Sequence, residues 1–291
     1  MNLSNVVSTF SIVAADPEIR ELGIAVQSKF LAVGAVVPFA LAGVGAVATQ
    51  SYANTSYGPR GLELLATGMH SREVLERLTS EDEDADSRQV GVVDAQGRSA
   101  AFTGAGCHEW AGHVIGQNYA AQGNILVNEA TVVAMAETFT MSTGPLAERL
   151  LTALAAGQVA GGDRRGRQSA SLLIVKPQGG YGGWNDRWLD LRVDDHPTPI
   201  IELKRLYDLH QLYFGEPKES DLLPLTPDLI TEFQELLAAR GYYTGSIDGL
   251  FGPLTQQALD NWAGVENLEE RLQNDERIDI AVLRYLREQT T

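Results

Sequence analysis

The sequence has little cysteine and little positive charge. Cys107 is the single cysteine among 291 residues, so no disulfide can form within the chain and no oxidising compartment is required. Lys and Arg total 22 against 38 Asp and Glu, which gives a formal net charge of −16. Nucleic acids and anionic membranes both attract cationic surfaces. We therefore expect neither of them as a partner.

A long uninterrupted apolar run is also lacking. The longest apolar stretch, residues 30–48, is interrupted by Pro38 and by glycines, and its valine content favours two buried strands over a membrane-spanning helix. The opening residues MNLSNVVS show no basic segment followed by an apolar core, which a secretory signal would have. The sequence therefore predicts a cytoplasmic protein.

Alternating apolar residues predict strands that come in pairs. Residues 9–15 and 22–29 flank the turn sequence DPEIRE as a hairpin, and residues 35–39 and 44–50 form a second pair. Along the whole chain the predicted order is ββββ–αα–ββββ–αα–ββ–α. Runs of strands alternating with pairs of helices predict an α+β fold with two antiparallel sheets between two helical layers, a four-layer αββα sandwich.

Local signals define several boundaries. Ser71 is the predicted N-cap of one helix and Gly157 the predicted end of another, because hydroxyls favour the first position and glycine favours the last. Residues 94–97 form a predicted hairpin turn ending in glycine. These signals place loops between the strands and helices of the predicted sandwich.

A polar segment, residues 216–225, is a predicted linker between two domains. Residues 1–215 form the predicted sandwich domain, and residues 226–291 form a predicted small all-α domain. Thr226 and Pro227 suit the N-cap and first position of its first helix. The chain is therefore expected to have a large and a small domain.

Many unusual segments of the first two hundred residues occur in the same order in one known family. They read TFSIVA, GIAVQSKF, GVGAVATQ, YGPRGLELL, QGNIL, GGDRRGRQSA, GGYGGWNDR and DLRVDDHP. In these segments the chain closely resembles the DUF1028 family, a branch of the N-terminal nucleophile (Ntn) hydrolase superfamily. The resemblance implies the αββα sandwich and amide-bond hydrolysis as the class of reaction.

The tail carries a second resemblance. Its segment LLAARGYYTGSIDGLFGPLTQQAL is similar to modules that bind peptidoglycan, whose repeat combines G-Y-x-x-G, I-D-G and F-G. This resemblance implies cell-wall glycan as a partner of residues 226–291. The sequence after this segment becomes acidic, VENLEERLQNDERID, and departs from the pattern.

Thr9 and Lys29 stand at the two ends of the first predicted hairpin, which brings the ends together. The hydroxyl of an N-terminal Thr attacks an amide carbonyl while its own α-amine, with a pKa of about 8, accepts the proton. A nearby Lys ammonium lowers that pKa. This chemistry requires cleavage between Ser8 and Thr9. The alternative is that Thr9 is simply a β-forming residue at a strand edge, and Ser11, on the same sheet face, is a second candidate nucleophile.

Polar residues in loops are candidates for substrate binding. Asn54 and Asn124 suit the role of oxyanion donors, or they bond within their own turns. Arg60 suits binding of a substrate carboxylate, or it is a residue at the start of a helix. Both readings of each residue stay open at the level of sequence.

Two glycine-rich loops add further candidates. In GGDRRGRQSA, Asp163, Arg164 and Arg167 suit anion recognition, or Asp163 is the centre of an ion-pair network that fixes loops or a subunit contact. In GGWNDR, Asn185 and Asp186 are predicted to line the same cleft. Cys107 and the neighbouring histidines have no further ligands at metal-like spacing, so we predict no metal and no cofactor.

Two functions are consistent with these observations. The first is an Ntn-type hydrolase that cleaves an amide or related C–N bond of a small molecule or peptide, with Thr9 as nucleophile, Lys29 tuning its amine, and backbone amides with Asn124 binding the oxyanion. The second is a non-catalytic binding or scaffold protein whose tail binds cell-wall glycan or a protein partner. Because Ntn-fold proteins often assemble, we expect a homo-oligomer.

Overall fold

A computed structural model describes residues 9–217, 219–273 and 276–288. The chain divides into two compact units, Met1–Arg205 and Leu206–Thr291. The division lies before the linker predicted from the sequence. The two units are described separately.

Within the described residues, the first unit contains ten strands in two antiparallel sheets. One sheet has the order β10-β9-β2-β1-β8-β7 and the other has the order β3-β4-β5-β6. The strands are β1 (Thr9–Asp16), β2 (Glu21–Ser28), β3 (Pro38–Leu41), β4 (Gly45–Ser51), β5 (Arg88–Asp94), β6 (Ser99–Thr103), β7 (Gly112–Gly116), β8 (Tyr119–Gly123), β9 (Ser169–Val175) and β10 (Arg187–Val193). The mixed α and β composition with antiparallel sheets was predicted from the sequence and is confirmed.

Helices pack on both sheets of this unit. The first two contact the four-stranded sheet, and the next two contact the six-stranded sheet. They are α1 (Tyr57–Ala66), α2 (Ser71–Ser80), α3 (Ala130–Met141) and α4 (Leu146–Val159), and α5 (Pro199–Phe214) follows the last strand. The order of strands and helices agrees with the predicted order.

The first hairpin has apolar residues on both of its faces. Val13 and Ile24 pair across β1 and β2 and lie in a core cluster that includes Ala48 and Val93 of the other sheet. On the opposite face, Phe10 lies under α4, beside Gly157. Because both faces are covered, almost every position of the two strands is buried, and each large apolar side chain stabilises the fold by about 1.5–3 kcal/mol.

Two predicted helix boundaries are corrected by the structure. Ser71 is the first residue of α2 and not its cap, because its hydroxyl donates to the carbonyl of Arg98 at 2.6 Å. Gly157 lies inside α4 and not at its end. A Cβ at Gly157 would lie 2.7 Å from Cγ of Met135, so the glycine allows α3 and α4 to approach closely. The predicted turn at residues 94–97 is confirmed, and Gly97 has a φ of 79°.

The second unit is helical but not all-helical as predicted. Its described part contains α6 (Pro227–Ala239), α7 (Pro253–Glu266) and α8 (Ile280–Glu288), and two short antiparallel strands, β11 (Leu222–Pro224) and β12 (Arg277–Asp279). The strands were missed because three residues are too few for alternation to show. Thr226 caps α6 as predicted, since its hydroxyl accepts from the Leu229 N–H at 3.3 Å.

The core of the second unit surrounds a fully buried Trp262. A fully buried Gln234 organises the loop before α7, because its Oε1 accepts from the N–H groups of Asp248 at 2.9 Å and Gly249 at 3.0 Å. Across both units, none of the described helices combines the length and the apolar character needed to cross a lipid bilayer.

Candidate functional site

Thr9 begins β1 and is held from three sides. It lies opposite Ser28 of β2, and its hydroxyl donates to Ser28 Oγ at 3.2 Å. Its carbonyl accepts from the N–H of Asn124 at 3.0 Å and from Nε2 of Gln50 at 3.2 Å. The side chain is completely buried. Strand β2, the loop after β8 and the end of β4 therefore fix the position of this threonine.

Lys29 lies near Thr9 but not in the predicted contact. The hairpin does bring its two ends together, as predicted, but β2 ends at Ser28, and Lys29 is one residue further on with an exposed side chain. Opposed residues of an antiparallel pair lie on one face of the sheet. The residue that faces the Thr9 hydroxyl is therefore Ser28, while the backbone N–H of Lys29 donates to Asp163 Oδ2 at 3.0 Å.

Ser11 faces the space between the two sheets, on the same face as Thr9, as predicted. Its hydroxyl donates to Gln50 Oε1 at 2.7 Å and accepts from Gln122 Nε2 at 2.7 Å. Both partners are fully buried amides from neighbouring strands. The hydroxyl is thus fixed as donor and as acceptor, which makes Ser11 a cross-link between the sheets.

A buried amide network connects the two sheets beside Thr9. Its centre is Gln89 of β5, whose Oε1 accepts from Nε2 of Gln50 at 2.8 Å and from Nδ2 of Asn124 at 3.0 Å. Nε2 of Gln89 donates to the carbonyl of Gly123 at 2.8 Å. Three of these side chains, Gln50, Gln89 and Asn124, are fully buried. Of these residues, only Asn124 was a candidate from the sequence. The available signal was an amide near the end of a mainly apolar strand, beside Thr49 for Gln50 and beside Arg88 for Gln89.

Asp163 is also close to this end of the hairpin. Its Oδ2 accepts from the N–H of Lys29, and its Oδ1 accepts from the N–H of Arg165 at 2.9 Å. The Arg165 guanidinium completes an ion pair with Asp163 at 3.2 Å. The ion-pair interpretation of this loop is the one that the structure supports. Arg164 and Arg167 have exposed side chains, and Arg165 was not among the candidates from the sequence.

Asn54 and Arg60 have other partners. Asn54 donates to Asp82 Oδ2 at 3.0 Å, and its Oδ1 accepts from the Ser56 N–H at 3.2 Å within its own turn. Arg60 forms an ion pair with Glu81. Asn54 therefore bonds within its own turn, and Arg60 lies near the start of a helix, as in the alternative interpretation of each residue. Neither residue contacts Thr9 through these bonds.

Asp82 anchors the loop that follows β4. It accepts from Arg88 Nε at 2.9 Å and from the Tyr57 hydroxyl at 2.9 Å, in addition to Asn54. The hydrogen bonds from Arg88, followed by those from Asn54, hold the pKa of Asp82 well below its usual range. Burial, together with the hydrogen bond to Asp82, raises the pKa of Tyr57.

Asn185 and Asp186 are not part of this cluster, which corrects their predicted placement. Strand β9 pairs with β2 from Ser169, opposite Ser28, to Val175, opposite Leu22. Six residue steps at about 3.3 Å per residue place the loop after β9 about 20 Å from the Thr9 end of the sheet. The two residues line a separate open groove of about 330 Å³.

Two polar side chains near the cluster have unusual surroundings. Within the part of the chain that the structure describes, Tyr52 Oη and His108 Nε2 are buried and have no hydrogen-bond partner. Their rings lie 6.1 Å apart, and the carbonyl of His108 accepts from the N–H of Ile125, the residue after Asn124. Buried polar atoms are nearly always paired, so these two atoms suit a water molecule or a polar group of a ligand.

Cys107 behaves as a small buried side chain. Its Sγ donates to the carbonyl of Arg88 at 3.3 Å, and burial raises the pKa of the thiol. No group of three or more His, Cys, Asp or Glu side chains is placed to hold a metal ion among residues 9–217, 219–273 and 276–288. The described site therefore combines hydroxyls, amides, the His108 imidazole and the Asp163–Arg165 ion pair.

Comparisons with known proteins agree with this architecture. Residues 9–203 match the sequence model of the "Family of unknown function (DUF1028)", and residues 213–286 match a "Putative peptidoglycan binding domain". A crystal structure of a DUF1028-family protein from Silicibacter pomeroyi is similar, with a TM-score of 0.65 and 32% sequence identity over 74% of this chain and 97% of that chain. No curated protein matches the chain. With two thirds of its length matched, the chain belongs to the DUF1028 family.

Proposed function

We propose that the chain is an Ntn-type hydrolase that cleaves an amide or related C–N bond of a small molecule or peptide. The observation that carries the proposal is the position of Thr9, which begins β1 at the polar end of the space between two antiparallel sheets. The family match also begins at residue 9. In this proposal the two sheets and their helix pairs constitute the αββα sandwich of the superfamily.

The reaction follows from a free amine at Thr9. Cleavage of the bond between Ser8 and Thr9 supplies this amine. Thr9 Oγ1 attacks the substrate carbonyl, and the α-amine takes the hydroxyl proton. The C–N bond then breaks, and the proton passes to the leaving amine. Water hydrolyses the resulting ester and regenerates Thr9.

Neighbouring groups have distinct roles in this proposal. Ser28 orients the Thr9 hydroxyl through the 3.2 Å hydrogen bond. The unpartnered Tyr52 Oη and His108 Nε2 bind polar atoms of the substrate. Lys29, whose backbone Asp163 holds one residue beyond Ser28, adds a cation that favours the neutral amine. A cytoplasmic location is part of this proposal.

Intact-mass measurement and turnover of an amide panel test the hydrolase. We expect a species that begins at Thr9 and hydrolyses at least one amide. Thr9→Val keeps the shape of the side chain and removes the hydroxyl, so it should abolish both the cleavage before residue 9 and the amide hydrolysis. Thr9→Ser keeps a nucleophile and should retain part of the cleavage and part of the hydrolysis. Full-length material alone, with no turnover before or after removal of residues 1–8, would refute the proposal.

The match of residues 213–286 favours a second candidate, a binding protein whose second unit binds cell-wall glycan. Residues 206–291 carry six Lys and Arg against sixteen Asp and Glu, so binding would rest on hydrogen bonds and apolar contacts and would persist at high salt. This function would also require export of the chain. Sedimentation of the whole protein with purified peptidoglycan at low and high salt tests it, and a protein that stays in the supernatant would contradict glycan binding.

A further inference from the structure

The two edges of the six-stranded sheet differ in how they are protected from pairing with other strands. Strand β10, at one edge, carries Arg187, Asp190 and Arg192, and its register shifts between Arg187 and Leu189. Charged side chains and irregular register are the usual devices that keep an exposed edge strand from pairing with other chains. The β10 edge therefore suits contact with water.

Strand β7, at the other edge, has none of these devices. Its sequence, GHVIG, contains no Asp, Glu, Lys, Arg or Pro. It pairs with β8 in regular register from Gly112 to Gly116, and the Ile115 side chain is 46% exposed. A regular apolar edge of this kind is a template for pairing with another strand.

An apolar groove lies beside β7. It has a volume of about 600 Å³ and lies between β7, β8 and α3. Val114, Val133 and Ala136 contribute to its apolar lining, and Glu137 adds a polar edge. Met141, at the end of α3, is 83% exposed beside it. Apolar area with a polar rim is the usual composition of a protein interface.

We infer that β7 and α3 form the interface with a second copy of this chain. Antiparallel pairing of two β7 strands about Val114 places Gly112 opposite Gly116 and His113 opposite Ile115, so the strand is complementary to itself, as a two-fold interface requires. The net charge of −16 makes two copies repel each other. Pairing through an uncharged strand places no like charges opposite each other.

The size of this interface determines the expected affinity. A five-residue strand is about 17 Å long, and α3 with twelve residues is about 18 Å long. A sheet layer and a helix layer together are roughly 20 Å deep. The interface therefore buries about 350 Å² per copy and about 700 Å² in total, which is below the size of stable interfaces and in the range of weak, transient ones. The dimer should therefore dissociate in the micromolar range, and its population should depend on concentration.

Sedimentation analysis of the full chain from about 1 to 200 μM tests the inference. The wild-type mass should rise with concentration towards twice 31.5 kDa. Ile115→Lys places a charge on the β7 edge and should raise the dimer dissociation constant at least tenfold. Leu41→Lys is the matched control, because Leu41 is 45% exposed in β3 of the other sheet, and it should leave the constant unchanged.

Met141→Glu is a second variant, on the helix side of the interface, and it should also weaken the dimer. Because Met141 is exposed, this substitution should not disturb folding. Circular dichroism verifies that all variants fold. Thr9→Val should dimerise like wild type, because the interface does not depend on the proposed chemistry. A wild-type monomer at every concentration, or equal effects of Ile115→Lys and Leu41→Lys, would overturn the inference.

Discussion

Replacing Gln89 by Leu should destabilise the first unit strongly although the two side chains have similar volumes. Gln89 is fully buried between the sheets. Its Oε1 accepts from Gln50 and Asn124, and its Nε2 donates to the Gly123 carbonyl and to Thr103 Oγ1. The same Nε2 also lies 3.2 Å from the Gly112 carbonyl, to which it donates. Leucine removes all five hydrogen bonds and creates almost no cavity. The loss therefore measures polar pairing and not packing.

The expected magnitude follows from the partners that Gln89 leaves behind. A buried donor or acceptor that loses its partner costs about 1–3 kcal/mol. Gln50 retains its hydrogen bond to the Thr9 carbonyl at 3.2 Å, and Thr103 retains its contact with His113 at 2.9 Å, so we count only the lost hydrogen bonds themselves, at about 0.5–1.5 kcal/mol each. The free energy of unfolding should fall by about 3–4 kcal/mol. For a unit of this size that corresponds to about 10 °C in melting temperature.

Differential scanning calorimetry, with the transition of the first unit analysed separately, measures this loss. Gln96→Leu is the control, because Gln96 is exposed in the turn between β5 and β6, and it should change the free energy of unfolding by less than about 0.5 kcal/mol. If Gln89→Leu cost less than about 1 kcal/mol, the amide network would not be stabilising the site, and the reasoning would be refuted.

Three further predictions follow from other hydrogen-bond centres. Asp163→Ala removes a buried carboxylate and should lower the free energy of unfolding, measured by chemical denaturation, by about 3–5 kcal/mol, and Asp163→Asn should lower it by about half of that. Asp190 is more exposed, so Asp190→Ala should lower it by only about 1 kcal/mol. Equal losses for the three variants would contradict this prediction. Because Arg88 depresses the pKa of Asp82 in the folded state, this carboxylate stabilises the fold above about pH 4 and progressively less as pH falls through the folded-state pKa. Asp82→Asn should therefore flatten the acid side of the stability curve, and an unchanged acid side would show that Asp82 contributes nothing. Gln234→Leu should cost about 3 kcal/mol in the melting of the second unit, and a loss as small as that of an exposed Gln would contradict its role as a loop anchor.

The hairpin at the start of the chain shows what the sequence could predict and where it failed. The pattern of apolar residues was sufficient to predict the two strands of the hairpin. It was also sufficient to predict that the start of the first strand lies near the end of the second. The end of the second strand was placed one residue too far. A shift of one residue reverses the sheet face of a side chain, so the partner of Thr9 is Ser28 and not Lys29. Strand boundaries are set by tertiary hydrogen bonds that the local pattern does not contain.

The glutamine network was not predictable from local patterns. Gln50 and Gln89 come from adjacent strands of one sheet, and Gln122 comes from the other sheet. In the sequence each lies near the end of an apolar run, Gln50 between Thr49 and Ser51 and Gln89 after Arg88, which is also how an exposed strand end appears. Only the packing of one sheet on the other brings the three amides together, and that packing is a tertiary property.

The error over Asn185 and Asp186 had a different origin, because strand topology alone was sufficient to avoid it. Asp163 precedes β9, and Asn185 follows it. Loops before and after one strand lie at opposite ends of that strand, so the two polar loops could not line one cleft. The two loops were assigned to one cleft because both are polar and rich in glycine. Their positions before and after the same strand show that they lie apart.

The charges of the groups around Thr9 determine how an α-amine at this position would be kept neutral. The hydrogen bonds of Thr9 with Ser28, Gln50 and Asn124 all involve neutral groups. Asp163, which binds the backbone next to Ser28, is itself paired with Arg165. A buried amine loses hydration of its charged form, and burial lowers its pKa. Desolvation would therefore favour the neutral amine without a direct contact from Lys29. Lys29→Met should shift the lower limb of the pH–rate profile only slightly. A shift of a full pH unit would instead show that Lys29 is the dominant cause of the lowered pKa of the amine.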